Sequence, residues 1–583
     1  MKNWVVINKR ADFKALGTSY GIDPVVARVM INRGVKEEDF GRYLHPSKED
    51  LHDPCLMKDM DRAVSFIADH MNEKIRVIGD YDVDGINSTY ILLSAIRSCG
   101  GNVDYRIPRR VEDGYGINPR MVEEAAADGV KIIITCDNGI AAFPAAERAK
   151  ELGIIMLITD HHQIPFEEVE GEKREHIPEA YAVINPHQKD CPYPFKEICG
   201  GMVAWKFMIR LFERFQKPVE EAFSYIENAA FATVGDIMPL QDENRTVVKL
   251  GLKAMEHTKN IGLRALLAQT GLQDASLTAY HIGFVLGPCF NATGRLETAD
   301  MALSLLCATD EGEAIRIASE LVAINEERKS MTKRGDEEAV KQLEESGLKN
   351  DKVLVLYIPK LHESLCGLVA GHIKEKYNRP TFVLSDGADC VKGSGRSVEA
   401  YSMFEKMNAC GDLLEKFGGH PMAAGLSIKK ENIDAFRRRM NEEANLSESD
   451  LTPKEKIDVP MPLSYISMEL IEQLNMLEPY GNANEKPVFA EKDVAVKSIR
   501  TIGKEGQYLK FVFLSGGIAM DGLYFGDAET LREALIFAYA KEDWENALNG
   551  RENNLRMSLL YEPQINEFRG RKTLQIVVKD FLV

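Results

Sequence analysis

Ten cysteines in 583 residues include no Cys-x-x-Cys pair and no zinc-ligand spacing, which excludes the usual zinc modules and the common dithiol redox motif. Cys99, Cys136 and Cys366 stand in apolar context, and buried reduced thiols fit them better than a metal or redox role. No stretch approaches the roughly 18 consecutive apolar residues of a membrane span. The opening Met1-Lys2-Asn3-Trp4 lacks a signal-peptide core and cleavage pattern, so a cytoplasmic chain is expected. Positive charge is in deficit too: 72 Lys and Arg against 90 Asp and Glu leave a formal charge of −18. That balance argues against broad, non-specific duplex binding, though not against a narrow basic channel that threads one strand. There is no internal repeat and no low-complexity run. A hydrophobic content of 45% with mixed charge implies a folded chain, and its length implies three or four domains.

Against that background one segment stands out. Val77-Ile78-Gly79-Asp80-Tyr81-Asp82-Val83-Asp84-Gly85 sets three carboxylates two residues apart after a short apolar run. Asp is a poor strand residue, and like charges repel. Three of them at the exit of a buried strand become tolerable when a hard divalent cation, Mg2+ or Mn2+, neutralises them. A solvated Asp-rich turn is the alternative. Two more apolar runs close in the same manner, Lys131 to Cys136 before Asp137-Asn138-Gly139 and Gly153 to Thr159 before Asp160-His161-His162. Near-continuous apolar strands are typical of parallel sheets covered on both faces. Ala141 to Leu152 between them has helix-forming composition. The pattern strand, helix, strand predicts an open α/β sheet that binds its ligand beyond the carboxyl ends of its strands. Asp80, Asp82, Asp84, Asp137, Asp160, His161 and His162 would gather at that edge.

With Asp160-His161-His162 and Cys136-Asp137-Asn138-Gly139, the triple-Asp motif resembles the DHH phosphoesterase superfamily. Further segments narrow the resemblance to the RecJ family of single-strand-specific exonucleases: Ile107 to Asn118, Asn185-Pro186-His187, Thr233 to Leu240 with Glu243-Asn244-Arg245, Gly393-Ser394-Gly395-Arg396-Ser397 and Phe417 to Gly425, in the expected order. The match spans roughly residues 50 to 580. Three positions depart from that family's usual pattern: Cys289 stands for an Arg, Ser364 for a Gly and His372 for an Arg. They lie in regions that contact substrate in the family, so an intact hydrolytic centre with an altered grip on DNA is expected.

The expected organisation is an N-terminal cap (1–50), a parallel-sheet DHH catalytic domain (51–310), a connecting helix (311–350), a second, DHH-associated α/β domain that binds substrate (351–450) and a C-terminal OB-type β-barrel (455–583). Two divalent ions, Mn2+ or Mg2+, about 3.5 to 4 Å apart can share a hydroxide and clamp an in-line displacement at phosphorus. Asp137, alone at the end of a central strand, is the choice for the bridging carboxylate. The resemblance assigns Asp82 to one ion and Asp84, His161 and Asp236 to the other, and places Asp80 where related phosphatases carry a His ligand. Without it, Asp236 could equally cap a turn. Asp160 is expected to orient His161, and His162 to ligate or to donate to the scissile phosphate. Ser394, Arg396, Ser397, Gly419 and His420 form a candidate phosphate-binding half. Arg109, Tyr115 and Arg295 are candidates for backbone contact or base stacking, although Tyr115 could equally be core. On the barrel, Phe511 and Phe513 share one face, while the Phe568 to Lys572 turn is the better candidate for exposed contact.

The resemblance implies 5′-to-3′ digestion of single-stranded DNA in repair and recombination, with a single-strand-binding protein and a helicase as partners. A phosphodiesterase for short oligoribonucleotides or cyclic dinucleotides is one alternative, and a non-catalytic replication scaffold is another.

Overall fold

The computed structural model describes residues 3–110, 112–169 and 172–583; Val111, in the Ile107 to Asn118 motif, lies outside them. The chain divides into two compact units, one of residues 52–238 and 250–453, the other of residues 3–51, 239–249 and 454–583.

In the first unit five short strands pair in parallel: β1 (Ile75–Ile78), β2 (Val103–Arg106), β3 (Ile132–Cys136), β4 (Ile155–Thr159) and β5 (Ala182–Ile184). Every residue of β1 and β3 is buried, which is why these runs carry no polar alternation. The spatial order is β2-β1-β3-β4-β5. The order in which strands are added therefore reverses between β1 and β3, and at such a switch point the connections leave on opposite sides and open a crevice. The triple-Asp segment follows β1 and Asp137 follows β3, so both flank that crevice.

Four helices complete the catalytic scaffold: α1 (Val83–Ser98), α2 (Phe143–Glu151), α3 (Gly200–Arg214) and α4 (Ile226–Gly235). Helix α2 falls inside the span expected from composition, with Ala145, Ala146 and Ala149 buried. After α5 (Gly287–Leu296) comes α6 (Glu311–Ser346), the long helix expected from residue 311 onward. Asp310 caps its start by accepting from Glu313 N–H, and Gly347 ends it with φ 76°.

A second sheet, β6 (Leu354–Tyr357), β7 (Thr381–Asp386), β8 (Val391–Arg396), β9 (Leu414–His420) and β10 (Ala423–Ile428), has the order β9-β10-β8-β7-β6. Only β6 and β7 run parallel. Helix α7 (Cys366–Tyr377) packs on it.

The other unit holds β11 (Phe489–Ile502), β12 (Tyr508–Ser515), β13 (Ile518–Tyr524), β14 (Arg556–Phe568) and β15 (Arg571–Leu582). Their order β11-β12-β13-β15-β14 closes through a β11–β14 pairing into a barrel, so the sheet has few free edges to protect. The closed barrel agrees with the OB-type expectation for this region. Composition did not announce the two helices inserted between β13 and β14, Ala528–Ala538 and Lys541–Leu548. Phe511 and Phe513 are core, stacked at 5.1 Å, and Val26, Met30 and Phe40 of the N-terminal segment belong to the same hydrophobic cluster. Arg245, from the Glu243-Asn244-Arg245 motif, ties this unit together: it donates to the carbonyls of Tyr43 and Leu477 with its guanidinium 3.9 Å from the Tyr43 ring centroid.

Candidate metal centre

Seven acidic and imidazole side chains meet at the carboxyl edge of the parallel sheet. Asp82 caps α1, its Oδ1 accepting from Asp84 N–H and Gly85 N–H at 3.0 and 3.1 Å. The helix therefore starts where Asp84 can turn inward. Asp137 has φ 60°, in the left-handed region that Asp enters more readily than most residues. Its peptide is held by Asp137 N–H on Thr159 O and by Tyr115 Oη on Asp137 O. Asp236 is the first residue past α4.

These side chains form overlapping groups whose donor atoms all lie within 4.8 Å of one another: Asp80, Asp82 and Asp137; Asp84, His161 and Asp236; and Asp137, His161 and His162. His161 Nε2 lies 3.0 Å from Asp137 Oδ1, 3.5 Å from Asp84 Oδ2 and 3.7 Å from Asp236 Oδ2. One imidazole nitrogen cannot satisfy three carboxylates, and Asp80 Oδ1 is buried with no hydrogen-bond partner. Burial, followed by mutual repulsion, raises the carboxyls of Asp80, Asp82 and Asp137 above the usual range and pushes Asp236 up to about 8. Divalent cations would remove that penalty, and an all-oxygen set with one imidazole suits Mg2+ or Mn2+. Asp137, shared between two of the groups, is placed to bridge.

Asp160 works differently from the sequence expectation. Its Oδ1 accepts from the backbone N–H groups of His161 (2.7 Å) and His162 (3.1 Å) and lies 2.7 Å from His162 Nδ1, while Oδ2 accepts from Ile140 N–H. It fixes the His161 backbone and the His162 ring, because the turn after β4 throws the His161 side chain inward and folds His162 back. Burial lowers the His161 imidazole. Burial also pulls on His162, but the Asp160 hydrogen bond and charge outweigh it and push that ring up to about 9. Asp160→Ala is expected to lower turnover or metal affinity about 10- to 100-fold, read from the Mn2+ dependence of turnover.

Several contributors escaped the sequence reading. Gly200 and Gly201 open α3, and their N–H groups donate to Asp84 Oδ2 and Oδ1 at 2.7 and 2.6 Å. A Cβ on Gly200 would come within 2.7 Å of Asp137 Cβ. The signal was a Gly-Gly pair opening an apolar helix. Asn138 donates to Ile78 O and Cys136 O, and Asn185 donates to His162 O. A cavity of about 590 Å3 adjoins the centre, lined in part by Tyr115, Asn138, Ile140, His162, His187 and His420.

The basic residues sort unevenly. Arg109 is exposed and paired with Glu112, so it is not the arginine delivered to the site. Its neighbour Arg110 is, lying over the Tyr81 ring at 4.6 Å. Arg295 follows Gly294, where a Cβ would meet Tyr81 O, and donates to Ser364 O at 2.6 Å. Arg396 donates to Ser394 Oγ and Gly395 O. A Cβ on Gly367, at the start of α7, would lie 2.8 Å from Arg396 Nη2 and 3.0 Å from Ser394 Oγ. Burial, then the charges of Arg110, Arg328 and Arg396, bring Arg295 down to about 10. Among the described residues none of Arg110, Arg295 and Arg396 is paired with a carboxylate, which suits an anion. Ser397 does not join them: it is buried, donating to Tyr401 O, because alternation along the chain turns it to the core. Gly419, φ 145°, pairs with Ala424 in the β9–β10 hairpin and presents His420 to the cavity. Tyr115 is not core: its ring is half exposed and its hydroxyl lies 3.1 Å from His162 Nε2.

At the departures, buried Cys289 Sγ lies 3.3 Å from Val285 O and accepts from Asn325 Nδ2. Ser364 Oγ lies 2.8 Å from His362 Nδ1, and His372 pairs with Asp336 at 2.9 Å.

Residues 74–233 match the DHH family, N-terminal domain, residues 350–446 the DHHA1 domain and residues 457–580 the RecJ OB domain. The chain is 34% identical over 577 residues to the single-stranded-DNA-specific exonuclease RecJ of Bacillus subtilis, covering 98% of this chain and 69% of that protein. To the protein of the same name in Escherichia coli it is 31% identical, with 99% of each covered. The crystal structure of Thermus thermophilus RecJ in complex with Mn2+ superposes with a TM-score of 0.82 at 25% identity, covering 100% of this chain and 79% of that one.

Proposed function

This chain belongs to the RecJ family of single-stranded-DNA-specific exonucleases, and we propose that it removes nucleotides from the 5′ end of a DNA single strand by a hydrolysis that Asp80, Asp82, Asp84, Asp137, His161 and Asp236 support as ligands of two divalent cations. The observation that carries the ligand reading is Asp137, common to two donor groups and 3.0 Å from His161 Nε2. Cations held by these residues would make water more acidic and offset negative charge at the reacting phosphate.

The residues of the chain divide the remaining work. Asp84 is held by two helix N–H groups and so presents a fixed carboxylate. His162, its ring held by Asp160 and its carbonyl by Asn185, would donate to the scissile phosphate or the leaving oxygen. Arg110, Arg295, Arg396 and Ser394 would hold the terminal phosphate, and a site that captures the 5′ end fixes polarity. The exposed hairpin tip at Phe568 and Arg569 would touch the strand from the barrel. Single-strand-binding protein and a helicase are the partners this reading implies, in repair and recombination. A cytoplasmic setting agrees with ten unbridged cysteines.

Two measurements test the reading. With Mn2+, 5′-labelled oligonucleotides should release labelled mononucleotide from the first time point, whereas digestion from the 3′ end, or of dinucleotides only, would contradict it. Arg396→Ala should weaken substrates carrying a 5′ phosphate by roughly 1.5 to 3 kcal/mol in kcat/KM, the worth of a hydrogen bond to a charged group. Equal losses on 5′-hydroxyl ends would remove Arg396 from the phosphate site.

A further inference from the structure

The approach to α5 carries an aromatic pair that the metal chemistry does not use. Residues 279–281 form a short helix that runs into a π turn at Ile282–Leu286. Such widened turns are rare and recur at functional positions. The inner side of this segment packs on the scaffold of the centre. A Cβ on Gly283 would lie 3.8 Å from Val234 Cγ1, and one on Gly287 would lie 3.7 Å from Val83 Cγ2. Val234 stands two residues before Asp236, and Val83 lies between Asp82 and Asp84, its N–H donating to Asn291 Oδ1 at 3.1 Å.

The outer side presents Tyr280 and Phe284, one turn apart, 62% and 67% exposed. Their rings are stacked, with centroids 4.9 Å apart and planes 23° from parallel. His281 Nδ1 accepts from Thr278 N–H and fixes the start of the turn. Ile237, directly after Asp236, is 71% exposed with φ 56°, a region that β-branched residues rarely enter. Single exposed apolar residues are ordinary. Two stacked faces on a segment that packs against the elements bearing the proposed metal ligands are a surface of a different kind.

We propose that Tyr280 and Phe284 form a stacking platform for unpaired bases of the DNA strand as it passes the metal centre, a proposal that rests on the nuclease reading above. The argument for this occupant is continuity: the segment that carries the pair packs through Gly283 and Gly287 against Val234 and Val83, which neighbour the proposed ligands, and an exposed π face accepts any base. Bases locked in a duplex have no free face to offer, so the platform also favours single strands over paired ones.

The test uses the full chain with Ca2+ in place of Mn2+ and an oligonucleotide in which 2-aminopurine is moved one position at a time from the 5′ end. In the native protein, emission should be quenched at one or two adjacent positions. In the Tyr280→Ala, Phe284→Ala double variant that quench should vanish and affinity should fall about tenfold or more, while cleavage of a 5′-phosphorylated dinucleotide with Mn2+ stays unchanged. Tyr280→Phe should retain both signals. Phe284→Trp supplies an independent reading that does not rely on a double replacement, since its indole emission should fall when single strand is added. Unchanged quenching and affinity in the double variant, or an indole blind to DNA, would overturn the platform, and the pair would then be a surface for a protein. A native chain that quenches 2-aminopurine yet cleaves nothing with Mn2+ would sink the nuclease reading and leave the platform standing.

Discussion

Asp137→Ala is expected to reduce turnover by at least about a thousandfold, the scale seen when a group central to the reacting constellation is lost, while leaving strand binding largely intact. Asp137 is buried at the end of β3, belongs to one donor group with Asp80 and Asp82 and to another with His161, and on the proposed reading its removal would take a ligand from both cations at once. The same substitution separates this account from a merely structural role. Without metal, ionisation of Asp137 is opposed first by burial and then by Asp84, Asp82, Asp236 and Asp80, and removing it should leave the metal-free protein as stable as before or more so. The native chain should gain Tm with Mn2+, since a ligand at 100 times its Kd adds about 2.7 kcal/mol. The variant should lose most of that gain. A variant that cleaves at a near-native rate, or one that is still stabilised by Mn2+ like the native chain, would show that Asp137 does not bridge.

Gly200→Ala should cost about a hundredfold in kcat, the scale expected when reacting groups are misplaced by about 1 Å, although no chemical group is removed. The added methyl would arrive 2.7 Å from Asp137 Cβ and 3.0 Å from Asp137 Oδ1. Helix α3 must then withdraw or Asp137 must shift, and withdrawal lengthens the two N–H contacts that hold Asp84. Either movement opens the geometry shared by both cation positions. Binding of a 5′-phosphorylated strand should change little, because the arginine cluster lies on other elements. An unaltered kcat would mean that the approach of α3 to the centre is not a constraint on it. Gly201→Ala offers a comparison, since its Cβ would press first on Ala232 Cβ at 2.4 Å, then on Asp84 Oδ1 at 3.2 Å, and not on Asp137.

The parallel sheet was legible because its strands are buried on both faces and therefore read as unbroken apolar runs ending in acids. Each run exposes its chemistry at one terminus, so the sequence alone places Asp80, Asp82, Asp84, Asp137 and Asp160 on one edge. The long helix was legible for a similar reason: thirty-six residues from Glu311 to Ser346 contain no proline, and they end at Gly347. What escaped was set by long-range packing. Nothing local to Gly200 says that its N–H faces Asp84, 116 positions away. The choice between Arg109 and Arg110 depends on which of two adjacent side chains faces Tyr81, and a turn has no periodicity from which to read that. Ser397 misled because a glycine-rich motif suggests that every polar residue in it faces the ligand, whereas β8 ends at Arg396 and the next residue turns inward. Asp160 misled in a subtler way: a residue next to an imidazole was expected to orient that ring, but the tight turn gives its hydrogen bond to the ring one position further on.

The most direct test of the account is a manganese-edge anomalous map from crystals soaked in Mn2+. It should show two peaks about 3.5 to 4 Å apart, one against Asp80 and Asp82, the other against Asp84, His161 and Asp236, with Asp137 between them. A single peak, or peaks that leave Asp137 without a metal contact, would contradict the two-cation centre on which the proposed hydrolysis depends.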